Sequence, residues 1–129
     1  EEPGEDTAIP CDVAALVQFN PVLAFRQAAR DRFGLTEDEG RRLSPMEHLS
    51  PALPPTIMFF GAEDTTCPQF REFTEKARSL GCRVDLHVYE GEGHGFYNRE
   101  PYFKRTLHEA DRFLAELDYL SGPPTVEAG

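Results

Sequence analysis

The apolar positions of this chain fall into three short runs, separated by stretches in which they recur every three or four residues, so that strands alternate with helices. Val13 to Phe19 (VAALVQF) is nearly all apolar and stops at Asn20-Pro21, which predicts a strand buried on both faces of a parallel sheet. Thr56 to Phe60 (TIMFF) is β-branched and aromatic, follows Pro54-Pro55 and closes at Gly61, which predicts a second strand. Arg83 to Tyr89 sets Val84, Leu86 and Val88 against Asp85, His87 and Tyr89. That period of two predicts a third strand, nearer a sheet edge, with one face better buried.

The intervening segments carry helix punctuation. Asn20 is expected to cap a helix whose first turn accepts Pro21, with Val22, Phe25, Ala29 and Phe33 on one face until Gly34. Thr36 with Glu39, and Ser44 with Glu47, match the S/T-x-x-E capping box, so residues 36 to 50 read as short helical turns within a cap-like excursion over 21–53. Pro68 at a first helical position opens a segment with Phe70, Phe73, Ala77 and Leu80 on one face, stopped by Gly81. From Pro101 onward, Phe103, Leu107, Ala110, Leu114 and Leu117 define a long amphipathic helix. This order implies an α/β fold, a three-layer parallel sheet of about three strands joined by right-handed crossovers. Residues 1–10 read as an acidic lead-in, 11–120 as one partial domain and 121–129 as a Pro/Gly-rich tail.

A length of 129 residues fits one domain with a real core. The balance of 13 Lys and Arg against 23 Asp and Glu, net −10, repels phosphate backbones and anionic membranes and excludes nucleic acid as a partner. No run approaches the roughly 18 apolar residues of a membrane span, so the chain reads as soluble. The start, Glu1-Glu2-Pro3-Gly4-Glu5-Asp6, is unlike a signal peptide; any export signal would lie upstream of Glu1, and the compartment stays unknown. Cys11, Cys67 and Cys82 match neither a zinc clip nor a disulfide framework and read as small buried or half-buried thiols.

In open parallel sheets chemistry gathers beyond the carboxyl ends of the strands, and two polar loops sit there. One reads Gly61-Ala62-Glu63-Asp64, the other Gly91-Glu92-Gly93-His94-Gly95-Phe96. Taken singly, an Asp in such a turn is more often structural, bonding nearby amides, and a His among glycines is only moderately specific. Taken together, an acid after one strand and a histidine after the next arrive at the same sheet edge. The carboxylate would fix the imidazole tautomer, freeing the second ring nitrogen to take a proton from a hydroxyl. Glu63 is the fallback acid. Glu90, Glu92 and His94 alternate but read as ordinary loop residues rather than a metal site, and no cofactor is implied. His48, His87 and His108 read as helix-end, strand-face and solvent-side residues.

With these residues in place, the sequence resembles the esterase/lipase branch of the α/β-hydrolases, near the acetylxylan and feruloyl esterase-like and dienelactone hydrolase-like proteins. The matching pieces are LVQFNPVL (16–23), SPMEHL (44–49), PPTIMFFGAEDTTCP (54–68), YEGEGHGFYN (89–98) and FLAELDYLSGPPT (113–125). The resemblance implies the C-terminal half of such an enzyme, with Asp64 as catalytic acid and His94 as catalytic base acting on a small ester. It departs at Cys67, where a β-branched residue is usual, and at Phe60, often a histidine. Ser44, Ser50, Ser79 and Ser121 lack the G-x-S-x-G setting of the nucleophile, which in the family lies upstream of the segment resembling Glu1 onward. Cys67 is a weak substitute nucleophile. The chain alone is therefore expected to be nearly inert and to associate, through its open first strand, with a missing half or with itself. The alternative is a non-catalytic hydrolase-like binding or assembly module.

Overall fold

The computed structural model describes residues 12–65 and 68–127, together with Gly4 and Ala8. Three strands, β1 (Leu16–Phe19), β2 (Thr56–Gly61) and β3 (Val84–Tyr89), form one parallel sheet in the order β1-β2-β3. Helices α1 (Gln27–Phe33) and α2 (Glu37–Leu43) and a 3-10 turn at Pro45–His48 connect the first two strands. Helix α3 (Phe70–Ser79) crosses from β2 to β3, and α4 (Tyr102–Glu116) follows a second 3-10 turn at Phe96–Asn98.

The central strand sets the layers. Every residue of β2 is buried, and its alternation sends Met58 and Phe60 to one face, Ile57 and Phe59 to the other. On the first face Phe60 stacks on Phe70 at 4.6 Å, and Phe73 and Ala77 of α3 join Leu23 and Met46 in the core. On the second, Ile57 and Phe59 meet Phe96 and, from α4, Ala110 and Phe113. Burying such aromatic side chains is the main stabilising term, about 1.5–3 kcal/mol each. The result is the α/β sheet between helical layers that the alternating pattern implies.

Four local expectations need correction. Strand β1 is half-buried rather than covered on both faces, because it lies at the edge of the described sheet with β2 on one side. Asn20 caps no helix: α1 starts at Gln27 with Arg26 in the cap position, and Leu23 and Ala24, in the non-helical approach, reach the core while α1 buries nothing. The Thr36/Glu39 capping box is formed on both sides, but the Ser44/Glu47 match is not. Ser44 is buried, donates its hydroxyl to the Gly40 carbonyl at 2.6 Å and accepts from the Phe25 amide at 2.8 Å, so it ties α2 to the segment before α1.

Helix α4 is turned slightly from its expected face. Ala110 is buried and Leu114 and Leu117 pack against the core as expected, whereas Phe103 and Leu107 are 52% and 37% exposed and Thr106 and Phe113 are buried in their place. Tyr102 sets this rotation by packing edge-on against Phe96 and Tyr89, both at 5.6 Å, and the Thr106 hydroxyl is satisfied by the Tyr102 carbonyl at 2.9 Å. Among the described residues no helix is long and apolar enough to cross a membrane. The readings of Cys11 and Cys67 lie outside the described residues.

Candidate active site

The carboxyl ends of the three strands each deliver one polar residue to a common place. At the end of β1, Asn20 continues the ladder by donating its amide to the Phe59 carbonyl at 2.9 Å, and it adopts φ 44°, a left-handed conformation that Asn tolerates better than most residues. After β2 the chain turns tightly, the Asp64 amide bonding the Gly61 carbonyl at 3.1 Å, and this tucks the Asp64 carboxylate inside the protein, 4% exposed. After β3 the glycine-rich loop brings His94 over it, Nδ1 lying 3.0 Å from Asp64 Oδ2.

Gly61 explains how the two loops come so close. A Cβ on Gly61 would lie 2.2 Å from the Glu92 carbonyl oxygen and 2.6 Å from that of Gly93, both backbone atoms. The Glu63 amide donates to the same Glu92 carbonyl at 2.8 Å, stitching the acid loop to the histidine loop. On its far side, the histidine loop is anchored by Phe96, fully buried and packed against Tyr89, Tyr97 and Tyr102. Gly95, with φ 79°, makes the turn between the half-exposed imidazole and this buried ring.

The electrostatics are asymmetric. Asp64 lies out of solvent, where a carboxylate needs hydrogen bonds to remain charged, and its Oδ2 takes one from His94 and one from the Asn20 side-chain amide. The His94 side chain is 52% exposed, and Nε2 has no hydrogen bond among the described residues. An imidazole held at one nitrogen by a buried acid and open at the other can accept and return a proton at Nε2. Glu63, the fallback acid, is exposed and meets the histidine loop through its backbone.

The remaining groups are turned elsewhere. Glu92 is buried and paired with Arg99 and with the Tyr102 hydroxyl, an acceptor that holds the Tyr102 phenol above its ordinary range. Among the described residues no three His, Cys, Asp or Glu side chains cluster as a metal site. Ser44 serves α2, Ser50 accepts from the Ala52 amide, Ser79 bonds the Lys76 carbonyl and Ser121 is exposed in the tail; among the described residues no serine bonds His94. His48 bonds the Arg42 carbonyl at 2.8 Å and His87 packs on Phe59, whereas His108 is half-buried and bonds the Val126 carbonyl at 2.7 Å, which folds the tail onto α4. Sequence reasoning missed Asn20 as a site neighbour. The available signal was a short amide at the carboxyl end of the first strand, the same sheet edge that carries the two loops of interest.

The open parallel sheet between helical layers, matched by solved esterase structures over half of their length, is part of an α/β-hydrolase fold. The chain belongs to the dienelactone hydrolase family, whose model matches residues 14–120. It is similar to solved structures of esterase 2 from the planctomycete Thermogutta terrifontis. One is the sarin-phosphonylated form, at 33% identity and TM-score 0.80, with 95% of this chain and 50% of that one covered. Another is the cyclosarin-phosphonylated form, at 37% identity and TM-score 0.78, covering 95% and 48%. A third is the propionate-bound form, at 33% identity and TM-score 0.77, covering 96% and 50%. The chain thus spans about half the length of these esterases. No curated protein matches it.

Proposed function

We propose that this chain is the C-terminal segment of a serine carboxylic-ester hydrolase, contributing the catalytic acid Asp64 and the catalytic base His94. The observation that carries this reading is the 3.0 Å contact between His94 Nδ1 and the buried Asp64 Oδ2, with Nε2 left open. With Nδ1–H donated to Asp64, Nε2 takes the proton of a serine hydroxyl as that oxygen attacks the ester carbonyl. The tetrahedral intermediate collapses as His94 returns the proton to the leaving alcohol, and a water repeats the cycle on the acyl-enzyme. Asp64 stays ionised and stabilises the imidazolium throughout.

The serine would come from the half of the fold that accompanies this segment in esterases of twice its length. A short-chain ester is the favoured substrate class, in keeping with esterase structures bound to propionate and to butyrate. The accompanying half would dock on β1. A cavity of about 320 Å³ lined by Leu16, Gln18, Leu23, Leu49, Leu53 and Phe73 opens beside that strand, and Gln18 Oε1 is buried there without a hydrogen-bond partner among the described residues. The test is hydrolysis of 4-nitrophenyl acetate by the chain mixed with an N-terminal half carrying G-x-S-x-G. Hydrolysis that depends on His94 supports the reading, and inactivity of a properly assembled mixture points to a non-catalytic module instead.

A further inference from the structure

We infer that Asn20 is a positioning residue for the Asp64–His94 pair, holding Asp64 charged and aligned from the β1 side; this rests on the reading of that pair as catalytic. Asn20 is 4% exposed, at the end of β1, and its Nδ2 donates to the same Asp64 oxygen that faces His94. The orientation of the amide follows from the charge. Turned over, it would set its carbonyl against a carboxylate, so the NH2 end must face Asp64 and Oδ1 must face away. Oδ1 is indeed buried without a hydrogen-bond partner among the described residues, so the donor end is the one this amide uses. The three strand ends then read Asn20, Asp64, His94: a fixed donor, a buried acid and a half-exposed base.

Two separate needs meet at this position. The backbone at φ 44° favours Asn, Asp or Gly, whereas the carboxylate needs a donor, which among these three only Asn supplies. Substitution separates them. Asn20→Gly keeps the backbone free to turn and removes the donor. Asn20→Asp keeps the shape and sets a second carboxyl against Asp64, so that the two compete for a proton.

The experiment follows the Asp64 carboxyl carbon and the His94 Nδ1–H proton by NMR in the full chain as pH is varied, for the native chain and both variants. The expected result is that Asn20→Gly lowers the acid dissociation constant of Asp64 about tenfold and shifts the Nδ1–H resonance. Asn20→Asp should give a stepwise titration shared by two carboxyls. In the assembled hydrolase, kcat should fall on the order of tenfold or more with KM little changed. If Asn20→Gly leaves the carboxyl titration, the imidazole resonance and kcat at native values, Asn20 serves only the backbone turn and the inference is overturned. If hydrolysis is never assembled but the Asp64 titration still moves in Asn20→Gly, the catalytic reading falls while the Asn20–Asp64 tie stands.

Discussion

Gly61 and Glu92 touch backbone to backbone: the place a Cβ would occupy on Gly61 is 2.2 Å from the Glu92 carbonyl oxygen. Neither atom can swing away as a long side chain could, so only glycine lets the loop carrying Asp64 approach the loop carrying His94. Gly61→Ala is expected to push the loops apart, destabilise the chain by about 1–3 kcal/mol and disturb the His94 Nδ1–H signal. Gly93→Ala is the control in the same loop. Its Cβ would meet nothing within 4 Å, and its unfolding free energy should stay within about 0.5 kcal/mol of native.

Replacing Asp64 by Asn keeps the volume and turns a carboxylate into an amide that can donate to Nδ1 and favour the wrong imidazole tautomer. In the assembled hydrolase, Asp64→Asn should reduce kcat on the order of ten-thousandfold with KM little changed, as in other acid–histidine pairs. Steady-state kinetics on a small nitrophenyl ester checks this. A loss carried wholly by KM would assign Asp64 to substrate binding.

The two S/T-x-x-E matches separate by thermal unfolding. Thr36→Ala should cost about 0.5–2 kcal/mol, because the Thr36 hydroxyl accepts from the Glu39 amide and Glu39 returns a bond to the Thr36 backbone. Ser44→Ala should cost about 1–3 kcal/mol by leaving the Phe25 amide unpaired. Glu47→Ala should be nearly silent, since no box forms at Ser44.

Alkali should loosen the aromatic anchor under the histidine loop. Burial raises the Tyr89 phenol, and the bond to Glu92 raises that of Tyr102. A group whose folded pKa is raised contributes stability that is complete below its unfolded value, about 10 for tyrosine, and is lost as pH rises through the folded value. A tyrosinate absorbance titration should therefore show a late component above about pH 10 that shrinks in Tyr89→Phe and in Tyr102→Phe.

The parts of the fold legible in the sequence are those set by one-dimensional pattern: three apolar runs, the helical spacing of Phe70, Phe73 and Ala77, and glycines in left-handed turns at 34 and 81. The placement of Asp64 and His94 beyond neighbouring strands follows from strand order alone. What the pattern did not reveal depends on partners far along the chain. Asn20 before a proline looks like a helix cap until Asp64, 44 residues later, takes its amide. Ser44 mimics a capping box because its real partner, Phe25, is 19 residues back. Helix α4 carries two overlapping apolar stripes, and only the packing of Tyr102 on Phe96 and Tyr89 selects the one that faces the sheet.

Among the described residues β1 has one edge without a neighbouring strand, beside a mostly apolar cavity, which favours association. Sedimentation of the chain alone should show self-association that rises with concentration in the micromolar range and disappears when the accompanying half is added. A monomer under both conditions would count against β1 as the docking edge.

The most direct measurement is hydrolysis of 4-nitrophenyl acetate by the chain alone and by the chain assembled with an N-terminal half carrying G-x-S-x-G, with native His94 and with His94→Ala. If Asp64 and His94 serve a serine from that half, the chain alone is near background and the assembly is active. His94→Ala then removes on the order of a millionfold of that turnover while the assembly still forms. An assembly that is equally active with His94→Ala would contradict the role given to this pair.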